Sequence, residues 1–199
     1  MTDSNRTQVE TIIDVQLNNR NRKTAFFRWI LVMPVAIFAS TFFQVAHWGL
    51  QMGGVIVLPV VLSLLIRGIY PSYAFSFNIA MMELNTRIAA YALLLTDDFP
   101  SIEANPKVVV LVPDIDGGAK LHKALPIIKW ILAIPLYIVG VLYTLATAVV
   151  TVIAWVVVSA NGTYPAWAVE ITVGTISYWN RVIGYSAALV TDKYPKFSL

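Results

Sequence analysis

Four charged residues occur at matching places in two apolar segments and are the first candidates for chemistry: Glu83 and Arg87, then Glu170 and Arg181. At 100° per residue, each pair falls with a serine on one stripe of a helix. The stripes are Ser76, Glu83 and Arg87 in the first segment and Glu170, Ser177 and Arg181 in the second. We therefore predict two amphipathic helices, each with a single charged face.

Three arrangements of these two helices are open. Each could lie at a membrane surface with its arginine reaching water or lipid phosphate. Alternatively, the helices could face each other across a pseudo-twofold axis and join the four charged residues in one polar cluster. If instead they crossed the membrane, the chain would be an inverted repeat of three spans per copy. Charges in the middle of a segment are costly in hydrocarbon, which counts against crossing.

The other ionisable residues predict neither catalysis nor a metal or cofactor site. Asp97 and Asp192 could act as general bases, but Thr-Asp before an aromatic residue and proline also stabilises a helix exit, which we favour. His47 and His122 lie in different predicted loops. The acidic turn at 114–118 lacks most ligands of a calcium loop. We expect a non-enzymatic protein, with a lipid-modifying enzyme as a minor alternative.

The composition predicts an integral membrane protein. Hydrophobic residues make up 58% of the chain and charged residues 13%, whereas soluble domains average about 45–50% and 25%. Two long runs, from Arg28 to Arg67 and from Lys129 to Glu170, carry almost no charge, and each exceeds the length of a membrane span. Basic residues are scattered among acids rather than gathered in a stripe, which argues against a nucleic-acid partner.

An internal repeat organises the sequence. Pro71 and Pro165 are 94 positions apart, as are Arg87 and Arg181, and Asp97 and Asp192 are 95 apart. The shared motif positions, predicted to be structural, are Tyr70, Pro71, Tyr91, Asp97 and Pro100 in the first copy and Tyr164, Pro165, Tyr185, Asp192 and Pro195 in the second. Aromatic residues near the ends of the apolar runs are predicted interface anchors: Trp29, Tyr70, Phe99, Trp130, Tyr164 and Tyr194.

Each copy is predicted to be a transmembrane helical hairpin followed by an amphipathic helix, giving an all-α protein with about four spans. One helix over 29–66 would be about 57 Å long, nearly twice the thickness of the hydrocarbon core, and the glycine-containing loop at 47–54 favours a turn. The second run, from Trp130 to Ala160, lacks a strong turn signal and could also be one long tilted helix. Hairpins place all the lysines and arginines on one side, so both termini are expected to be cytoplasmic.

Four regions follow from this scheme. Residues 1–24 form a polar N-terminal segment, 25–100 the first repeat, 101–125 a cytoplasmic linker and 126–199 the second repeat. Within the linker, residues 107–113 are rich in valine and predict a short strand.

The motifs Gly-x-Tyr-Pro, Arg-x-x-x-Tyr and Thr-Asp-x-aromatic-Pro together resemble a bacterial membrane family, the domain-of-unknown-function family 4389. The closing segment, from Thr191 to Leu199, is the closest match. The resemblance implies a multi-pass protein of the bacterial cytoplasmic membrane and supplies no activity. The chain has Lys196 where the family commonly has a second proline, and Leu136 where it commonly has a histidine.

The expected function is that of an accessory or scaffold protein that contacts membrane lipids and assembles with itself or with other membrane subunits. A duplicated apolar body without catalytic motifs suggests this role. The alternative is a small transporter or channel with its path between the two repeats, which the repeated Glu and Arg stripe suggests.

Overall fold

The computed structural model describes residues 2–3, 6–43, 51–52 and 54–199, and this part of the chain is mostly helical. The helices are α1 (Arg22–Phe26), α2 (Arg28–Leu31), α3 (Met33–Ser40), α4 (Leu58–Arg67), α5 (Ser72–Ala92), α6 (Leu125–Leu132), α7 (Ile134–Asn161) and α8 (Ala166–Ser186). The strands are β1 (Thr2–Asp3), β2 (Glu10–Ile13), β3 (Gln51–Met52), β4 (Val55–Ile56) and β5 (Val108–Pro113). His47 and most of the predicted turn at 47–54 lie outside the described residues.

The elements form three layers. A small sheet in the order β1-β5-β2 covers one side of α5 and α8. On α8, Asn180 donates a hydrogen bond to Thr11 of β2 at 2.9 Å, while Thr175 on the opposite face bonds to Thr147 of α7 at 2.7 Å. The amphipathic helices are therefore the middle layer, and α7 belongs to an outer layer.

The two predicted amphipathic helices are built alike. Both α5 and α8 have 21 residues. Pro71 and Pro165 precede them in extended conformation, because the proline ring fixes φ and its missing N–H is not needed before the first turn. The helices before them end at Gly68 and Gly162, which are both left-handed, the conformation that glycine adopts most readily at a helix end.

Equivalent positions of the two motif sets contact one another. The Asn180 side chain donates to Thr86 Oγ1 at 2.8 Å, and these positions are 94 apart, like the two prolines. In the antiparallel ladder of β2 and β5, Glu10 is paired with Leu111, an interval of 101 that also separates Arg28 from Lys129. At these two places, equivalent positions of the two motif sets meet.

The sheet was predicted only in part. The short strand expected at 107–113 is present as β5. Its partner β2 lies within the predicted polar segment 1–24 and shows an alternation of exposed and partly buried residues. Four residues are too few for a clear period-two signal, so this strand is set by its pairing with β5.

The predicted hairpin in the second repeat is wrong. α7 is one unbroken helix of 28 residues, about 42 Å long. Neither glycine nor proline interrupts it between Gly140 and Gly162. Thr144 and Thr151 satisfy their hydroxyls on carbonyls four residues back, at 2.8 and 2.7 Å, which lets the helix carry them through an apolar run.

Of the described helices, α7 is long and apolar enough to cross a membrane, whereas α4 is apolar but has only ten residues. Among the described helices there is thus one candidate span, and the count of four spans stays a prediction. Two predicted interface anchors are also wrong, because Tyr70 and Tyr164 are buried. Their hydroxyls bond inside the protein, to Ala188 O and to Thr172 Oγ1.

Candidate functional site: two buried cations and an open basic pocket

A buried arginine lies between α2 and the segment that follows α5. Arg28 is fully buried and donates from Nη1 to Thr96 O at 2.7 Å and from Nη2 to the Asp97 carboxylate. Its guanidinium carbon lies 4.0 Å from the centre of the Tyr91 ring, close enough for a cation–π interaction. The charge is thus met by a carbonyl, a carboxylate and an aromatic face.

The second copy holds a buried lysine in the same way. Lys129 Nζ lies 2.7 Å from Asp192 Oδ1 and donates to Thr191 O at 2.7 Å. It also lies 5.1 Å from the centre of the Tyr185 ring. Each of the four residues is the equivalent of one in the first cluster, so the motif tyrosines and aspartates of both copies serve the same purpose.

The Asp97 carboxylate accepts hydrogen bonds from three residues. Oδ1 accepts from Arg20 Nε and Nη2 at 3.0 and 2.9 Å, and Oδ2 accepts from the Asn21 N–H at 2.7 Å. Burial raises the pKa of Asp97, but the hydrogen bonds from Arg20, Asn21 and Arg28 outweigh it and hold the pKa below its usual value. A lowered pKa suits an ionised structural acceptor rather than a general base near neutral pH.

Sequence reasoning missed Arg28 and Lys129 as site residues. Each directly precedes a Trp-Ile-Leu sequence at the start of an apolar run, and that repeated placement is the signal that could have identified them. A cation at such a boundary was interpreted as a mark of membrane orientation. The structure instead turns both side chains inward, against the motif that ends the following amphipathic helix.

The Glu83–Arg87 pair and Arg181 have different partners. Arg87 Nη1 lies 3.7 Å from Glu83 Oε2, and Arg87 also donates to Ser101 O and Ile102 O. Arg181 donates to Ser198 O instead. Among the described residues, no hydrogen bond or ion pair joins Glu170 or Arg181 to the Glu83–Arg87 pair.

Two open cavities border α8. One, of about 600 Å³, lies on its sheet side and is basic. It is lined by residues of β2, α8 and the final segment, among them Arg6, Glu10, Ser177, Arg181, Lys193 and Lys196. The other, of about 320 Å³, is a mainly apolar groove between α5, α7 and α8 that includes Thr147, Ile176 and Trp179.

The remaining motif residues are structural in position. Pro100 and Pro195 are both buried, and Pro100 lies beside Arg87 in a small cavity of about 10 Å³. Within the described ranges, no group of three histidine, aspartate or glutamate residues is placed to bind a metal ion.

Comparison with known proteins gives one match. Residues 126–198, which contain α6, α7, α8 and the Lys129 cluster, match the family described as Domain of unknown function (DUF4389). Neither the search of curated proteins nor that of solved structures finds a match. Over residues 126–198, the chain is therefore similar to the DUF4389 family.

Proposed function

We propose that this protein is a non-enzymatic accessory or scaffold protein of the bacterial cytoplasmic membrane, which contacts lipid and assembles with itself or with other membrane subunits. The observation that carries the proposal is the exposed apolar surface of α2, α3, α4, α6 and α7. Its exposed aliphatic side chains include Ile30, Met33, Ile37, Ile66, Ile127, Ile131, Ile138, Leu142, Leu145, Val149, Val152 and Val156.

Most of the surface of α7 is apolar and exposed. In the most apolar stretch of α7, 28% is buried inside the protein, so most of a very hydrophobic helix faces outward. Soluble monomers rarely expose continuous apolar patches beyond a few hundred Å². Contact with lipid or with another apolar protein surface removes the cost of hydrating it.

The packing of α7 favours an orientation in the plane of the membrane. α7 runs antiparallel along α8: Tyr178 donates to Leu136 O at 2.8 Å and Thr175 bonds to Thr147. The opposite face of α8 carries Arg181 and the sheet. If α7 crossed the bilayer, this charged face would lie at the depth of the hydrocarbon, at a cost of several kcal/mol. With α7 lying in one leaflet, the sheet stays in water.

The buried charges support a scaffold more than a catalyst. Asp97 is held by Arg20 and Arg28, and Asp192 accepts from the His122 N–H at 2.5 Å and pairs with Lys129. These contacts join the start of each apolar run to the end of the amphipathic helix in the same copy. Residues that hold two elements together are poorly suited to exchange protons with a substrate.

Mass spectrometry of the intact particle tests this proposal. The full chain would be expressed in a bacterium, extracted from membranes with a mild detergent and measured without denaturation. We expect the protein in the membrane fraction, as a particle of two or more copies or with another membrane subunit, and with lipid retained. A lipid-free, partnerless monomer recovered from the soluble fraction would contradict the proposal.

A further inference from the structure

The cavity beside Arg87 and the basic cavity beside Arg181 occupy equivalent places but differ in charge. In the first copy, Arg87 pairs with Glu83, and Lys107 pairs with Asp98 at 2.6 Å. The four charges cancel. The segment after Pro100 supplies Arg87 with two carbonyl acceptors, and only about 10 Å³ of space is left.

In the second copy, both acids are replaced. The equivalent of Glu83 is Ser177, and the equivalent of Asp98 is Lys193. Arg6 stands where the first copy has Lys107, and Lys196 adds a further cation. Glu10 is the one acid among the residues lining this cavity, and it is engaged by Arg6 at 2.8 Å. The lining therefore carries a net charge of +3, from four cations and one acid.

Arg181 itself is incompletely satisfied. It donates from Nη2 to Ser198 O, and among the described residues its buried Nε has no hydrogen-bond partner, as is also true of Arg87 Nη1. A buried donor without an acceptor loses hydration without compensation, and a charged donor loses more. Arg181 also has no carboxylate within ion-pair distance among the described residues, in contrast to Arg87.

We propose that the pocket around Arg181 binds the phosphate group of a small soluble molecule, because the sheet side of α8 faces water in the proposed orientation. Its cavity of about 600 Å³ has room for such a group. Phosphate carries the negative charge that the lining lacks. Its oxygens can accept two parallel hydrogen bonds from a guanidinium group, and the ammonium group of a lysine adds a further attractive charge. The choice of a soluble molecule over a lipid rests on the proposed function; the phosphate site itself does not.

The most direct test introduces into the second copy the acid that the first copy has. Ser177→Glu places a carboxylate four residues before Arg181, as Glu83 stands before Arg87, without removing a basic group. Ser177→Gln, of the same size but uncharged, is the matched control. Purified full-length protein in a neutral detergent would be titrated by calorimetry with inorganic phosphate and with dihexanoyl-phosphatidylglycerol, and its unfolding temperature would be recorded.

We expect the wild type and Ser177→Gln to bind, and Ser177→Glu to bind at least about tenfold more weakly. A tenfold change corresponds to the loss of one charge-assisted contact. Binding of both probes indicates that the phosphate group suffices; binding of the lipid alone would contradict a soluble ligand. If Ser177→Glu fails to fold, Lys193→Gln, at an exposed position, should weaken binding instead. A wild type that binds neither probe, or equal loss in Ser177→Gln and Ser177→Glu, would overturn the proposal. Phosphate binding by a protein recovered from the soluble fraction would leave the site intact while refuting the membrane assignment.

Discussion

Replacing Asp97 with alanine is expected to lower the free energy of unfolding by about 3–5 kcal/mol. The substitution leaves two arginines, Arg20 and Arg28, without their shared carboxylate, although both guanidinium-bearing side chains are fully buried. Buried charges that lose their only counterion keep the cost of desolvation and lose the attraction that offset it. Chemical unfolding in a mild detergent, followed by tryptophan fluorescence, would measure the difference.

The neighbouring residue provides a matched control. Asp98 pairs with Lys107 at 2.6 Å, but both side chains are about half exposed, so Asp98→Ala should cost about 0–1 kcal/mol. Because the pKa of Asp97 is lowered, its stabilising contribution is complete above the ordinary carboxyl pKa of about 3.9 and is lost as the pH falls toward the lowered value. The gap between wild type and Asp97→Asn should narrow below that pH. Equal losses for Asp97→Ala and Asp98→Ala would refute the buried cluster as a major source of stability.

Placing two lysines on the outer face of α7 is expected to weaken membrane binding about 100-fold. Each lysine charge in lipid costs roughly 1–2 kcal/mol of binding free energy, even when its side chain reaches toward water. Leu145 and Val149 are suitable because both are more than 60% exposed in the isolated protein. If this face lies in lipid, Leu145→Lys with Val149→Lys removes two apolar contacts and buries two charges. Flotation with vesicles of phosphatidylethanolamine and phosphatidylglycerol would measure the change.

A change on the sheet separates membrane contact from a general effect of charge. Ile12 on β2 is also an exposed aliphatic residue, with about half of its surface accessible. In the proposed orientation it faces water, so Ile12→Lys should leave flotation within about twofold of the wild type, like an ordinary surface substitution. Loss of binding in Ile12→Lys comparable to that of the α7 variant would show that the apolar outer face is not the membrane contact.

The sequence predicts best what short motifs determine. The two Tyr-Pro elements fix the starts of α5 and α8, because proline sets the backbone at the entry to a helix. The stripe periodicity correctly indicates that Glu83 and Arg87 share a face. The equal spacing of the motifs also identifies the positions that meet, since Thr86 and Asn180 are separated by the same interval as Pro71 and Pro165.

What the sequence does not predict depends on contacts between distant segments. β2 is stable only as a partner of β5, and Arg28 finds its acceptors 68 and 69 positions further on. The continuity of α7 was misjudged because charge distribution was used to count spans. The preference of lysine and arginine for the cytoplasmic side applies to helices that cross a membrane. It carries no information about a long helix supported along its length by α8.

The depth of α7 in the bilayer tests the central claim most directly. The chain has no cysteine, so single cysteines at Ile138, Leu145 and Val156, which share one helical face, can be spin-labelled without background. In vesicles, electron paramagnetic resonance with oxygen and a nickel chelate as relaxants reports the depth of each label. If α7 lies in one leaflet, the three labels should be at the same depth within a few ångströms, and one at Ile12 should be in water. Ile138 and Val156 are about 27 Å apart along the helix, so two shallow ends with a deep label at Leu145 would show that α7 crosses the membrane and would contradict the account.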